Sequence, residues 1–244
     1  TELLTGYGRI TEVWFDGANG EGPNGRRQAY DWPRIHRLVR THQPGALIFS
    51  DAGPDIRWGG NERGIAGDPN WCTVDPAAVP YPGASGDGIT DALQHGDPAG
   101  TVWRPAEADV SIRPGWFWHP AEDGAVRSAD DLLELYLSSV GRNSNLLLNV
   151  PPTTSGLLHD TDVARLATFG ARRSALLASD AAAGARRRVG NGGRVVTLTL
   201  PERRRFDFTH HGPVDAMRLG EIQAIVYERI WAALPVTTRE MPYP

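Results

Sequence analysis

Apolar and polar positions fall into blocks that read as short buried strands followed by amphipathic helices. Thr1 to Gly6 has the look of a last helical turn with a glycine stop. Thr11 to Phe15 is a brief β-type run that ends on Asp16. Asp31-Trp32-Pro33 carries the cap and early proline of a helix start, and Ile35, Leu38 and Val39 give the next turns an apolar stripe. Ala46-Leu47-Ile48-Phe49 is a second strand that also ends near a carboxylate, Asp51. A Gly/Pro/Trp-rich loop follows over 52–100, and Thr101-Val102-Trp103-Arg104 reads as a third, weaker strand with Glu107 near its end. Ser128-Ala129-Asp130-Asp131 opens a helix in near capping-box fashion, with Leu132, Leu133, Leu135, Tyr136 and Val140 as its apolar face. Leu146 to Val150 is a fourth strand, stopped by Pro151-Pro152, and Val163, Leu166 and Phe169 mark a helix over 160–173.

Strand-helix alternation of this kind predicts a parallel sheet with helices outside it. The expected neighbouring strands are 11–16, 46–51, 101–105 and 145–150, with helices 31–43, 128–141 and 160–173 packed against them. A closed barrel of eight βα units takes about 250 residues, and here about four units end near residue 175. The predicted fold class is therefore α/β, with residues 1–175 forming the second half of a TIM-like (β/α)8 barrel. Beyond that the pattern changes. Val195 to Leu200 is a β run after two glycines, and Ile222 to Ile230 is a strand or a short helix, so 176–244 reads as part of a β-rich second domain.

Composition narrows the partners. With a net charge of −4, the chain offers no attractive field to nucleic acid or an anionic membrane, and its two arginine triplets read as solvated faces. Cys72 is the single cysteine, which excludes an intrachain disulfide and a cysteine-rich zinc site. No apolar run is long enough to span a bilayer. His95, His119 and His159 lack metal-ligand spacing, so no metal or other cofactor is expected. Seven of the eight tryptophans precede residue 120, many of them beside Gly, Pro or charged residues. Core packing is the ordinary use of such residues, but loop tryptophans also suit the apolar faces of sugar rings.

The candidate chemistry lies at the strand ends. Glycines at 17, 20, 22 and 25 follow Asp16 without the Lys-Ser/Thr or helix start of a phosphate loop. Parallel strands gather their C-terminal ends on one face, where barrel enzymes keep their reacting groups. Asp16, Asp51 and Glu107 would meet there, with Glu62 on the Arg57–Arg63 loop. Glycoside hydrolysis needs two carboxyl groups flanking the scissile bond, one fixed as a nucleophile and one protonated as an acid. From the pattern alone, turn-forming carboxylates remain the alternative.

The stretches VWFDGANGEGPNG, DWPRIH, FSDAGPDIRWGGNERGIAG, LQHGDPAGTVWRPAEADVSIRPGWFWHPAED and LLLNVPP closely resemble the α-L-fucosidases of glycoside hydrolase family 29. The likeness runs from residue 2 to about 173, then more loosely to about 231. WFDGANG and RWGGNE resemble the branch that acts on α-1,3/1,4-linked fucose. The resemblance implies a retaining double displacement with Asp16 as nucleophile and Glu62 as general acid/base. Trp14 would line the sugar pocket, and Arg57 and Trp58 would bind the fucose or its leaving sugar, Trp58 alternatively being a packing residue. Glu107 is either a buried group supporting the site or a direct sugar ligand. Of Trp116, Trp118 and His119, one or two would touch substrate. The resemblance also implies a fucosylated oligosaccharide or glycoconjugate as partner, an extracellular or periplasmic setting, and a C-terminal β-sandwich beginning within 176–244. The first barrel strands of the family precede this chain's start, so a catalytically incomplete or fucose-binding remnant stands as the alternative function.

Overall fold

The computed structural model describes residues 1–17, 28–178, 184, 186–190 and 195–199. The expected element at Ile222–Ile230 and most of the expected sandwich lie outside the described residues.

Helix α1 (Glu2–Thr5) ends at Gly6. Strand β1 (Glu12–Trp14) pairs in parallel with β2 (Leu47–Phe49), with Trp14 opposite Phe49. The crossover between them is α2 (Trp32–His42), capped by Asp31, whose side chain accepts the Arg34 N–H at 3.0 Å. Val39, Ala46 and Ile48 form the buried contact of this unit, and Leu4, Ile10, Val13 and Phe15 pack on it. Gln43 fastens the N-terminal segment. Its side-chain nitrogen donates to the carbonyls of Leu4 at 2.7 Å and Gly8 at 2.9 Å, and its oxygen accepts the Ile10 N–H at 3.1 Å.

A parallel bridge from Phe49 to Ile56 leads to β3 (Arg57–Trp58). Outside this wall the chain makes an excursion through β4 (Thr73–Val74), α3 (Ile89–His95) and β5 (Val102–Trp103), with β4 and β5 antiparallel. It returns as β6 (Ala106–Ser111), which pairs in parallel with β3 on one side and with β7 (Ser144–Asn149) on the other. The described wall thus reads β1-β2-β3-β6-β7, all parallel. Helices α4 (Ala129–Ser139) and α5 (Asp160–Ala178) cover its outer face. Val110 and Ile112 pack there with Leu132, Leu135 and Val126, and Leu166 and Phe169 of α5 close over them. Ser128 forms a complete capping box with Asp131 at the start of α4. Farther on, β8 (Arg186–Gly190) and β9 (Val195–Thr199) form an antiparallel pair.

Two expectations need correction. The third wall strand is not 101–105 but Ala106–Ser111; Val102–Trp103 belongs to the outer excursion. Pro105 cannot donate to a ladder. The true strand, Ala-Glu-Ala-Asp-Val-Ser, is buried along its whole length yet hides its burial behind two acids. Likewise, Arg57–Trp58 is a strand rather than part of a loop, so Glu107 lies near the start of its strand and not at its end.

Arg57 holds the excursion to the wall. Only 1% exposed, it spends its guanidinium on protein acceptors: Nε on the Leu93 carbonyl at 2.9 Å, Nη1 on the Arg104 carbonyl, and Nη2 on Asn70 Oδ1 at 2.6 Å. Asn70 in turn donates to the carbonyls of Arg142 and Asn143 at 3.0 and 3.1 Å. Burial is severe enough to push the Arg57 pKa down to about 10. Truncation leaves three polar acceptors without a donor. At about 1 kcal/mol for each abandoned acceptor, Arg57→Ala is expected to lose roughly 3 kcal/mol of stability, read as a fall in the urea midpoint. A loss below about 0.5 kcal/mol, the size of an ordinary surface change, would contradict this anchoring role.

Candidate active site

Alternation along the wall strands sets which side chains face the inner surface. From β6 these are Glu107, Asp109 and Ser111, each in register with an inward residue of β7: Asn145, Leu147 and Asn149. Trp58 stands beside Glu107 on β3, and Trp14 beside Phe49 across β1 and β2. The same alternation carries the inner face of β1 from Glu12 through Trp14 to Asp16, just past the strand end.

Tryptophan and carboxylate are paired throughout this surface. Trp14 stacks on Phe49, with ring centroids 4.4 Å apart and planes 7° apart, and its Nε1 donates to Glu107 Oε1 at 3.1 Å. Trp58 donates to Asp109 Oδ1 at 2.7 Å. Trp116, on the loop after β6, donates to Glu62 Oε2 at 3.2 Å. Trp118 donates to Asp123 Oδ1 at 3.2 Å and stacks near His159. Each indole N–H is thereby occupied, and what remains to offer a ligand is the ring face.

Burial tunes the acids. Glu107 is 4% exposed, and burial, followed by the negative charge of Glu12, raises its pKa to about 7, against the opposing bonds from Trp14 and Asn145. Asp109 is also raised, mainly by burial, with Trp58 pulling it down and the charges of Glu62 and Asp16 pushing it up. Asp51 is raised by burial and by Asp16, while the Gly83 N–H holds it down from 2.9 Å. Asp16 and Glu62, which lie on the loops after different strands, therefore both act on Asp109. Glu62 is itself exposed, on a turn closed by Asn61, whose side chain donates to the Ile65 carbonyl at 2.8 Å and accepts the Arg63 N–H at 3.0 Å.

The other expected site residues separate. Arg57 was expected to bind the fucose or its leaving sugar. It points instead to the outer side, where all three of its guanidinium nitrogens bond protein acceptors, because it alternates with the inward Trp58. Trp118 is half-buried, held by Asp123, which also pairs with the buried Arg113 at 2.9 Å. Arg113 continues to the fully buried Asp162, also at 2.9 Å. His119 is exposed at the start of a 3-10 turn. Asp109 and Asn149 were missed. Period two counted from Glu107 would have found Asp109, had the strand been placed over 106–111. Among the described residues, no three His, Cys, Asp or Glu side chains could hold a metal ion, and no helix is long and apolar enough to cross a membrane.

A family model described as Alpha-L-fucosidase matches residues 1–172. The chain belongs to the alpha-L-fucosidase family. It is 45% identical over 184 residues to Alpha-L-fucosidase 1 of Arabidopsis thaliana, covering 75% of this chain and 34% of that protein. A solved glycoside hydrolase 29 family member from an unknown rumen bacterium is 38% identical with a TM-score of 0.67, covering 78% of this chain and 35% of that one. A Ruminococcus gnavus GH29 fucosidase, solved in complex with fucose, is 30% identical with a TM-score of 0.60, covering 72% and 36%. A separate short likeness, 46% identity over 46 residues, joins 19% of the chain to 5% of the alanine–tRNA ligase of Lacticaseibacillus paracasei. The chain spans about a third of the length of the curated fucosidases it matches. As these solved relatives are GH29 proteins, the five parallel strands correspond to part of a TIM-barrel-like fucosidase catalytic domain.

Gly17, next to Asp16, has no room for a side chain: a Cβ there would lie 2.7 Å from both Asp51 Oδ2 and the Gly83 backbone nitrogen. Gly17→Ala is expected to cost about 1–3 kcal/mol through overpacking, measured by thermal unfolding; an unshifted midpoint would contradict the contact. For Glu107 the folded pKa, about 7, lies above the ordinary 4.5. The unfolded chain therefore loses this proton first. The contribution to stability is fully present below about pH 4.5 and is lost as pH rises through about 7. Glu107→Gln should flatten this part of the stability-pH curve, an effect on the order of 3 kcal/mol. Urea titrations between pH 4 and 8 that fall equally for both proteins would contradict it.

Proposed function

We propose that this chain carries the catalytic carboxylates of a retaining α-L-fucosidase that removes α-1,3/1,4-linked L-fucose from branched glycans. The observation that carries the reading is electrostatic: Asp16 and Glu62, from loops after β1 and β3, both act on the inward-facing Asp109. This supports a reading in which the two carboxylates serve one region of the inner surface, bordered by the faces of Trp14, Trp58 and Trp116. Family membership supplies the substrate class, and the fucose-bound relative is consistent with it.

In this reading Asp16 attacks the anomeric carbon and forms a fucosyl ester, while Glu62 protonates the departing glycosidic oxygen. Glu62 then takes a proton from water as that water displaces Asp16, and configuration is retained through two inversions. Trp14 and Trp58 supply apolar walls, and Glu107 supports Trp14 from within the sheet. Trp116 stands where a leaving sugar would pass. A fucosylated glycan is the proposed partner, in an extracellular or periplasmic setting. Binding of fucose without turnover is the alternative outcome of the test that follows.

Asp16→Ala is expected to lower turnover of an aryl α-L-fucoside by about a thousandfold or more, with azide restoring turnover to give a β-fucosyl azide. Glu62→Ala should impair natural glycans more than aryl fucosides, whose leaving groups need little protonation. Equal losses on both substrates would remove Glu62 from the acid role. Fucose binding by a wild-type chain that shows no turnover would favour the binding-only reading.

A further inference from the structure

Glu62 is exposed and sits on a turn, a poor arrangement for an acid that must meet a glycosidic oxygen in one geometry. The turn itself is closed by Asn61, but that fixes the backbone and leaves the carboxyl to rotate. Its carboxyl is met by the Trp116 indole at 3.2 Å, and Trp116 is on a loop as well. The loop is fastened at that point by two residues from the ends of neighbouring strands. Asn149, the last residue of β7, donates from Nδ2 to the Trp116 carbonyl at 3.0 Å and to Ser111 Oγ at 3.1 Å. Ser111, the last residue of β6, is 6% exposed and donates from Oγ to the Gly115 carbonyl at 2.7 Å. Ser111 and Asn149 are register partners, so the sheet fixes their separation before the loop is considered.

We propose that Asn149, acting with Ser111, is a positioning residue for Glu62: it pins the backbone of Trp116, and the Trp116 indole orients the carboxyl. This rests on the two-carboxylate fucosidase reading. The chain of contacts runs by hydrogen bonds from rigid strand ends to a loop carbonyl and from the same residue's indole to the acid, with Trp116 itself joining the two. An amide is required at position 149 because one nitrogen serves two acceptors, the Ser111 hydroxyl and the Trp116 carbonyl. Aspartate there would present oxygens to an oxygen acceptor and break the second link.

The role predicts a leaving-group signature. If Asn149 sets the direction of Glu62, losing it removes protonation of the departing oxygen but leaves attack by Asp16 in place. In Asn149→Ala, turnover of a natural fucosylated glycan should fall at least about tenfold further than turnover of an aryl fucoside, within the usual range for general acid catalysis. The same change in a Glu62→Gln background should add little, since the oriented group is already gone. Hydrogen exchange of the 113–118 amides, followed by mass spectrometry, should quicken in Asn149→Ala. Ser111→Ala, which keeps the Asn149 bond to the Trp116 carbonyl, should give a smaller version of both effects. Unchanged exchange would overturn the anchor. Equal losses on both substrates, or fully additive losses with Glu62→Gln, would reduce Asn149 to a structural residue and overturn the positioning role. A wild-type chain that hydrolyses neither substrate would sink the fucosidase reading, and exchange would then decide the anchor by itself: faster exchange upholds it and unchanged exchange overturns it.

Discussion

A buried carboxylate is costly unless something satisfies it, and strand β6 buries two, Glu107 and Asp109, on the same face. The structure answers with indole donors from other strands of the wall: Trp14 of β1 reaches across to Glu107, and Trp58 of the adjoining β3 reaches Asp109. An indole N–H donates one bond and carries no charge, so it satisfies a carboxylate only in part. The acids therefore keep raised pKa values. They also fix the rings, which would otherwise rotate on an open surface. Much of the inner wall, its polarity as well as its flat apolar surfaces, follows from this one kind of contact.

The candidate catalytic groups stand outside that fixed layer. Asp16 emerges directly from β1, and it is the next residue, Gly17, that is packed without clearance against Asp51 and Gly83. Glu62 stands exposed on a short turn, and its carboxyl is met by the indole of another loop. One carboxylate follows within two residues of a strand end, and the other is held through a relay of hydrogen bonds. This difference suits a reaction in which the nucleophile must approach from one direction while the acid/base serves first a leaving sugar and then a water.

Much of this was legible in the sequence. Continuous apolar runs ending in an acid located β1 and β2, and capping residues located α2 and α4. What failed was β6, because periodicity was sought in apolar residues and this strand alternates Ala and Val with Glu, Asp and Ser. Misplacing it put Glu107 at a strand end and concealed Asp109. The orientation of Arg57 failed for a related reason. As a loop residue it was free to face the pocket; as one half of a two-residue strand it had to face opposite Trp58. The bonds made by Asn149 depend on a loop carbonyl, which no side-chain pattern reports.

That two-residue strand has a further implication. Trp58 looks into the sheet's inner surface, while Arg57 grips carbonyls from both arms of the outer excursion, at Leu93 and Arg104. The inner wall and the excursion thus share a single peptide unit. A change that shifts either carbonyl pulls on the backbone that aims Trp58. The stretch between the grips is tied down as well, since a Cβ at Gly96 or Gly100 would collide with the Trp71 carbonyl or the Val74 backbone, so the outer excursion works as a rigid bracket whose seating and the shape of the inner surface stand or fall together.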